Sequence, residues 1–230
     1  MITFKKVDKM ELFEKCRKAM VDCQIKPSGV TDENIIDAFS TVPREIFVAD
    51  DLKSIVYVDE DVPLSDGGGF LMAPSVYAKM LQESNVEAND IALNIGDDSG
   101  YSTAILSKLV TTVVVIEQVP GFYDKARQLW SDLGLCNIAI VDGDPDSGGL
   151  DHAPYSLILM NGSVATIPES LVAQLTNGGR LCAVLRENET KQGQVVVVER
   201  VGEGDRSCRP AFDASTPYLP SYKPEEVFVF

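Results

Sequence analysis

Histidine is almost missing from this chain: one residue, His152, in 230. It sits in "GLDHAPYS", a polar connection ahead of an apolar run, and reads as a surface residue rather than a general base. Basic residues are scarce as well. Twenty Lys and Arg stand against thirty-five Asp and Glu, a formal charge of −15, and such a chain repels a phosphate backbone that clustered cations would have to neutralise. Nucleic acid is therefore excluded as a partner. Runs of about 18 apolar residues, the length a membrane span needs, do not occur, and "MITFKKVDKMELF" lacks the apolar block of a secretion signal. A cytoplasmic protein without membrane contact is expected. The five cysteines, Cys16, Cys23, Cys136, Cys182 and Cys208, are odd in number, scattered, and include no CxxC. They signal neither a disulfide framework nor a zinc site, and no metal is expected.

What is present is the ordinary soluble mixture, 45% hydrophobic and 24% charged, in a chain long enough for one unit with a real core. Its organisation changes once, near Pro74. Residues 1–74 read as N-terminal helices followed by a loop. Leu12, Cys16, Ala19, Met20 and Cys23 form one helical stripe; Thr31 caps a second helix whose apolar face is Ile35, Ala38, Phe39 and Val42, and Pro43 ends it. "YVDEDVPLSDGGGFLMAP" follows, with three successive glycines that argue for a loop. Residues 75–230 alternate helix and strand: "SVYAKMLQES" helix, "DIALNIG" strand, "YSTAILSKL" helix, "TTVVVIE" strand, "GFYDKARQLWSDLG" helix, "NIAIVDG" strand, "YSLILMN" strand, "PESLVAQLTNGG" helix and "RLCAVL" strand. Val113 to Ile116 and Leu157 to Met160 are apolar on both faces, as parallel strands covered on two sides must be. The fold class expected is α/β, a doubly wound, mostly parallel, Rossmann-like sheet with an N-terminal helical extension. "GQVVVVERVGEG" and "EEVFVF" add two strands without a helix between them, which makes an antiparallel edge.

In such a sheet the ligand lies beyond the carboxyl ends of the strands, at the first strand-to-helix turn. That turn reads Gly96, Asp97, Asp98, Ser99, Gly100. A dinucleotide fingerprint G-x-G-x-x-G fails at two of its three glycines, Asp98 and Tyr101, so a nicotinamide cofactor and the oxidoreductase it would serve are disfavoured. The G-x-G-x-G pattern that binds S-adenosylmethionine fails only at Asp98. Glu117 ends the next strand twenty-one positions after Gly96, where a carboxylate accepts both hydrogen bonds of a ribose diol. Asp144, in "IVDGDP" after the third strand, is placed to accept from an adenine amino group, with Asp142 and Asp146 as near alternatives.

These pieces and their order resemble the protein-L-isoaspartate O-methyltransferase family from about Met20 to Cys182. "VPREIFV" resembles its helix exit, "GGGFLMAP" its substrate-facing loop, "NIGDDSGYSTAIL" its cofactor loop, "VVVIEQ" its ribose strand, "VDGDP" its adenine-side loop and "IPESLVAQLTNGGRL" its late helix and strand. The resemblance implies methyl transfer from S-adenosylmethionine to the carboxylate of an isoaspartyl residue in protein or peptide. Gly96, Asp98, Ser99, Gly100, Glu117 and Asp144 fall on the cofactor side; Gly69, Met72, Pro74, Ser75 and Asn161 on the substrate side. A carboxylate is already a nucleophile at neutral pH, so no acid–base triad is needed and no catalytic residue is assigned.

Four positions depart from the family pattern. Met72 stands in the substrate loop where a serine is usual, with Ser75 nearby; Asn94 replaces an acid on the first strand; Ser156 replaces an aspartate ahead of Asn161 and Gly162; and Asp98 replaces the loop's central glycine. A side chain at 98 costs about 1 to 2 kcal/mol if the backbone is left-handed there. The acid either stands in for the one missing at 94 or marks a cofactor site in decay. The alternative to an enzyme is thus a binding or scaffold protein that keeps the fold with a degraded cofactor loop.

Overall fold

Two helical segments and a small hairpin precede the sheet. The computed structural model describes residues 6–64, 69–117, 121–202 and 204–224, the side chains of 6–9 and 117 excepted. Helix α1 (Lys6–Met20) runs into a π turn, Val21–Ile25, and a 3₁₀ turn, Lys26–Ser28. Of the stripe read from 3.6-residue spacing Met20 is buried, but Leu12, Ala19 and Cys23 are exposed and Cys16 is half-buried, whereas Val21 and Ile25, outside that stripe, are buried. The wider π turn rotates the residues after Met20 off the extrapolated face. Helix α2 (Glu33–Thr41) begins one residue later than Thr31 would set it. Asp32 is the cap, its carboxylate accepting from Asn34 N at 2.8 Å and Ile35 N at 3.3 Å, and its carbonyl takes the first helical bond from Ile36 N. Thr31 N–H is engaged instead by Gln82 Oε1 at 2.6 Å. The apolar face is as expected, with Ile35, Ala38, Phe39 and Val42 buried, and the helix stops ahead of Pro43.

Strands β1 (Val62–Pro63) and β2 (Phe70–Leu71) pair antiparallel as a short hairpin. Helix α3 (Pro74–Glu83) starts on Pro74, whose fixed φ suits a first helical position. Then follow β3 (Ile91–Ile95), α4 (Tyr101–Ser107), β4 (Thr112–Glu117), α5 (Asp124–Asp132), β5 (Ile138–Asp142), β6 (Tyr155–Val164), α6 (Glu169–Val172), β7 (Leu175–Leu185), β8 (Gln194–Arg200) and β9 (Arg206–Asp213). The sheet order is β5-β4-β3-β6-β7-β8-β9, parallel from β5 through β7 and antiparallel from β7 to β9. From β3 the chain moves outward to β5 and then returns to lay β6 on the other side of β3. That reversal opens a crevice at the carboxyl ends of β3 and β6. Val113 to Ile116 and Leu157 to Met160 are buried, as two-sided strands require. On one face Phe39 of α2 meets Tyr77 of α3 and Tyr101 of α4, ring centroids 6.0 and 6.3 Å apart, joining the N-terminal helices to the same core. Among the described residues no helix is long and apolar enough to cross a membrane.

The second half differs from the expected pattern in two places. The helix read in "PESLVAQLTNGG" shrinks to one turn, and the strand read as "RLCAVL" reaches back to Leu175. Tyr155 pairs with Leu175 and Leu157 with Arg180, so residues 176–179 bulge out, helped by a left-handed Gly178 at φ +77°. The antiparallel edge is present, but its outer strand is β9, which carries Pro210 beside a register shift. A proline is tolerated there because an edge strand leaves one row of N–H groups unpaired. "EEVFVF" lies outside the described residues.

One buried ion pair ties the strand ends opposite the crevice. Arg180 grips Asp90 through both terminal nitrogens, at 2.8 and 3.1 Å, and donates from Nε to Ser84 O at 2.9 Å, with Asp90 2% exposed. Removing one partner strands the other in a poorly solvated place. Arg180→Ala is expected to lower the unfolding free energy by about 3 kcal/mol, read from denaturant midpoints. A loss under about 1 kcal/mol would mean that solvent already screens the pair.

Candidate functional site

The turn between β3 and α4 is built around Asp97. Its Oδ1 accepts from Gly100 N at 2.8 Å and Ser99 N at 3.2 Å, and its Oδ2 from Thr103 N at 2.7 Å, so this 4% exposed carboxylate satisfies two amides of the turn and one in the first turn of α4. Ser99 Oγ is spent inside the same turn, donating to Asp97 and accepting from Tyr101 N. Gly100 is left-handed, φ +83°, and a Cβ on it would lie 2.6 Å from Ala126 Cβ. Its carbonyl accepts from Trp130 Nε1 at 2.8 Å. Ser99 and Gly100 thus hold the loop's shape and its seat on α5. Gly96 and Asp98 are the members of the expected cofactor set that face the crevice.

The cavity there measures about 160 Å³ and has three walls. Gly96, Asp97 and Asp98 form one. Ile116, Phe122, Tyr123 and Pro145 form an apolar slot, and the third wall is Leu219, Pro220, Ser221 and Tyr222. This last stretch comes from a strap after β9, a part of the chain in which the sequence offers no site residue. It is bonded to β6 and its extension by Ser163 N to Pro217 O, Leu219 N to Ser163 O and Ala165 N to Tyr222 O, and Tyr222 Oη donates to Pro145 O. Leu219 is 3% exposed and fills the space beside two glycines. A Cβ on Gly96 (φ +78°) would collide with Leu219 Cδ2, and one on Gly162 would come within 2.7 Å of it.

Glu117 closes β4 opposite Asp142, at the same sheet edge; its side chain lies outside the described residues. Asp144 is exposed and accepts from Asp146 N at 3.1 Å within its own turn, next to the Pro145 that lines the slot.

On the other side, Gly69, Met72, Pro74 and Ser75 lie along β2 and the start of α3. Met72 is buried, and its carbonyl accepts from Arg44 Nη2 at 2.7 Å. Arg44 is 1% exposed, also donates to Val56 O at 2.7 Å, and stacks on Tyr101 at 4.8 Å; burial pushes its pKa down, against the favourable pull of Tyr101. Asn161 donates to Asn94 Oδ1 at 2.8 Å and Ile95 O at 2.9 Å. Because Ile95 O can only accept, the amide orientation is fixed, and Asn161 Oδ1 is buried without a hydrogen-bond partner among the described residues. Met72, Asn161 and Gly96 share a second small cavity with Arg44 and Tyr101.

Two of the four departures take on new meaning. Asn94 is fully buried, donating to Ser102 Oγ and Thr103 Oγ1 while it accepts from Asn161, so it braces β3 against α4 and β6. Ser156 bridges to Ile91 N at 2.9 Å at the amino end of β3, across the sheet from the crevice; it bears on strand pairing, not on the site. His152 is exposed, as expected. Sequence reasoning missed Asp97, Arg44, Tyr123 and the strap. The signal for the last was the proline-interrupted aromatic run "TPYLPSY", too irregular for any periodicity.

Fold, switch-point crevice and glycine-floored turn define a Rossmann-like methyltransferase. The chain matches the family described as Protein-L-isoaspartate(D-aspartate) O-methyltransferase over residues 15–223, and it belongs to that family. It is 34% identical over 186 residues to the Protein-L-isoaspartate O-methyltransferase of Methanoculleus marisnigri, covering 81% of this chain and 84% of that protein. With the corresponding protein of Protochlamydia amoebophila it shares 37% over 163 residues, 70% of this chain and 77% of the relative. A Plasmodium falciparum structure described as a putative protein-L-isoaspartate O-methyltransferase in complex with S-adenosyl-L-homocysteine superposes with a TM-score of 0.70 at 19% identity, covering 90% of this chain and 97% of that one.

Proposed function

We propose that this chain methylates the free α-carboxylate of L-isoaspartyl residues in proteins or peptides, with S-adenosylmethionine as donor. The observation that carries this reading is convergence: Gly96 of the cofactor loop and Met72 and Asn161 of the substrate side line one buried cavity, beside a crevice at the switch point. The crevice suits the donor in chemistry. Gly96 offers backbone without a side chain and the slot of Ile116, Phe122, Tyr123 and Pro145 suits a flat base; Glu117, at the end of β4, and Asp144, just after β5, are the carboxylates we assign to ribose hydroxyls and an adenine amino group. When bound, the donor supplies an electrophilic methyl group on a positively charged sulfur.

The protein's own part is alignment and exclusion of water. The acceptor carboxylate is ionised at neutral pH, so no residue has to remove a proton from it. Holding two reactants in register is worth up to about 7 to 11 kcal/mol. Leu219 and the strap close one side of the crevice, the Met72 thioether keeps the acceptor side apolar, and Asn161 Oδ1 offers an acceptor for a substrate N–H. Met72 contributes no hydrogen-bond donor, so its side chain shapes the pocket and does not grip a carboxylate.

Calorimetric titration with S-adenosylmethionine and S-adenosylhomocysteine, followed by a methyl-transfer assay on matched isoaspartyl and aspartyl peptides, tests the proposal. Saturable binding of both nucleosides and esterification of the isoaspartyl peptide alone are expected. Absence of heat with either nucleoside would leave the scaffold reading in its place.

A further inference from the structure

The substrate-side segment is held by side chains at several positions. Met72 O accepts from Arg44, Ala73 N–H donates to Asp61 Oδ1 at 2.8 Å, and Ser75 N–H donates to Asp59 Oδ1 at 3.0 Å. Those three holders lie earlier on the chain, Asp59 and Asp61 on the segment that leads into the hairpin and Arg44 in the 3₁₀ turn Arg44–Phe47. A fourth reaches across from the cofactor loop: Phe70 N–H donates to Asp98 Oδ2 at 3.3 Å. That distance is long for an N–H···O bond, and packing of the same side chain on the hairpin accompanies it. A Cβ built on Gly69 would sit 2.5 Å from Asp98 Cβ, Cγ and Oδ2, so the carboxylate lies directly on the hairpin backbone. The glycine that the G-x-G-x-G pattern calls for at position 98 has no atom with which to make this bond.

We infer that Asp98 is a positioning residue, a latch that fixes the substrate hairpin to the cofactor loop through Phe70 N–H, so that order on one side of the crevice is order on the other. The inference rests on the methyl-transfer reading and deepens it. A reaction whose catalysis is alignment gains most from a bond that sets the distance between the two loops. It also accounts for a charged residue in the turn, since the carboxylate is directed at the hairpin backbone.

Amide hydrogen exchange at Phe70 and steady-state methylation of an isoaspartyl peptide, on the full chain as wild type, Asp98→Ala and Asp98→Asn, test the latch. In Asp98→Ala the Phe70 amide is expected to exchange about tenfold faster or more, while Val114 in the central sheet keeps its protection and so reports an intact fold. The peptide KM rises about tenfold with a smaller fall in kcat. Asp98→Asn retains an acceptor on the same side-chain frame and returns both readouts to within about twofold of wild type. Unchanged Phe70 exchange in Asp98→Ala overturns the latch, as does faster exchange with an unaltered KM. Should the wild-type chain leave the peptide unmethylated, the methyl-transfer reading falls, and Phe70 exchange alone decides whether the latch stands.

Discussion

Gly96→Ala is expected to destabilise the chain by about 3 kcal/mol and to abolish nucleoside binding, and the double variant with Leu219→Ala should lose about 1 to 2 kcal/mol less than the two single losses added together. Two separate penalties meet at this position. A Cβ on a left-handed residue costs about 1 to 2 kcal/mol, and Gly96 has φ +78°. The new methyl would also fall on Leu219 Cδ2, and forcing a methyl into a filled site typically costs about 1 to 3 kcal/mol. Leu219→Ala alone leaves a hole where a side chain 3% exposed had been, worth about 2 to 4 kcal/mol. In the double variant the added methyl occupies part of that hole, leaving mainly the backbone strain and the unfilled remainder. A double-mutant cycle on urea midpoints should give a coupling of about 1 to 2 kcal/mol in the favourable direction. Additivity within about 0.5 kcal/mol would show that the strap does not press on the glycine.

Asp98→Asn is expected to raise stability at pH 7 but not at pH 4. Burial, followed by the neighbouring charge of Asp97, pushes the Asp98 carboxyl up to about 6 from an ordinary 3.8, and the Phe70 N–H only partly offsets the two. Between those values the folded chain holds a proton on Asp98 that the unfolded chain has released, so wild-type stability falls as pH climbs from about 4 to 6 and then levels off. Asparagine has no such penalty. A tenfold change in proton affinity between the folded and unfolded chain corresponds to about 1.4 kcal/mol. Allowing for relaxation at a site that is not sealed from water, the gain should be about 1 to 2 kcal/mol, or roughly 2 to 8 °C in Tm for a chain of this size. Melting curves of both proteins from pH 4 to 7.5 check it. A gap that does not widen over that span would mean the carboxyl titrates like a solvated one.

Much of the architecture was legible because parallel, doubly covered strands are written as uninterrupted apolar runs. Val113 to Ile116 and Leu157 to Met160 identified themselves, and Gly96 with Gly100 marked the turn after β3. Elements with weaker apolar signals were not legible. The exposed, proline-bearing β9 reads as loop, and the π turn after α1 moves the buried Val21 and Ile25 off the face read from helical spacing. At the site, residue type gave position but not employment. Asp97 and Asp98 look alike in sequence, yet one caps α4 and the other reaches the hairpin, a difference decided by a single step of backbone. Asn94 and Ser156 looked like losses from a ligand site and are braces within the sheet instead. Nothing local to those residues announces this, since their partners Thr103, Asn161 and Ile91 are fixed by tertiary packing.

A cleft walled on one side by a late stretch of its own chain, tacked down at Ser163, Ala165 and Pro145, owes part of its shape to bonds made far from the cofactor turn. Loosening those bonds would widen the crevice, so a change there would register as shorter dwell of a bound molecule rather than as altered chemistry.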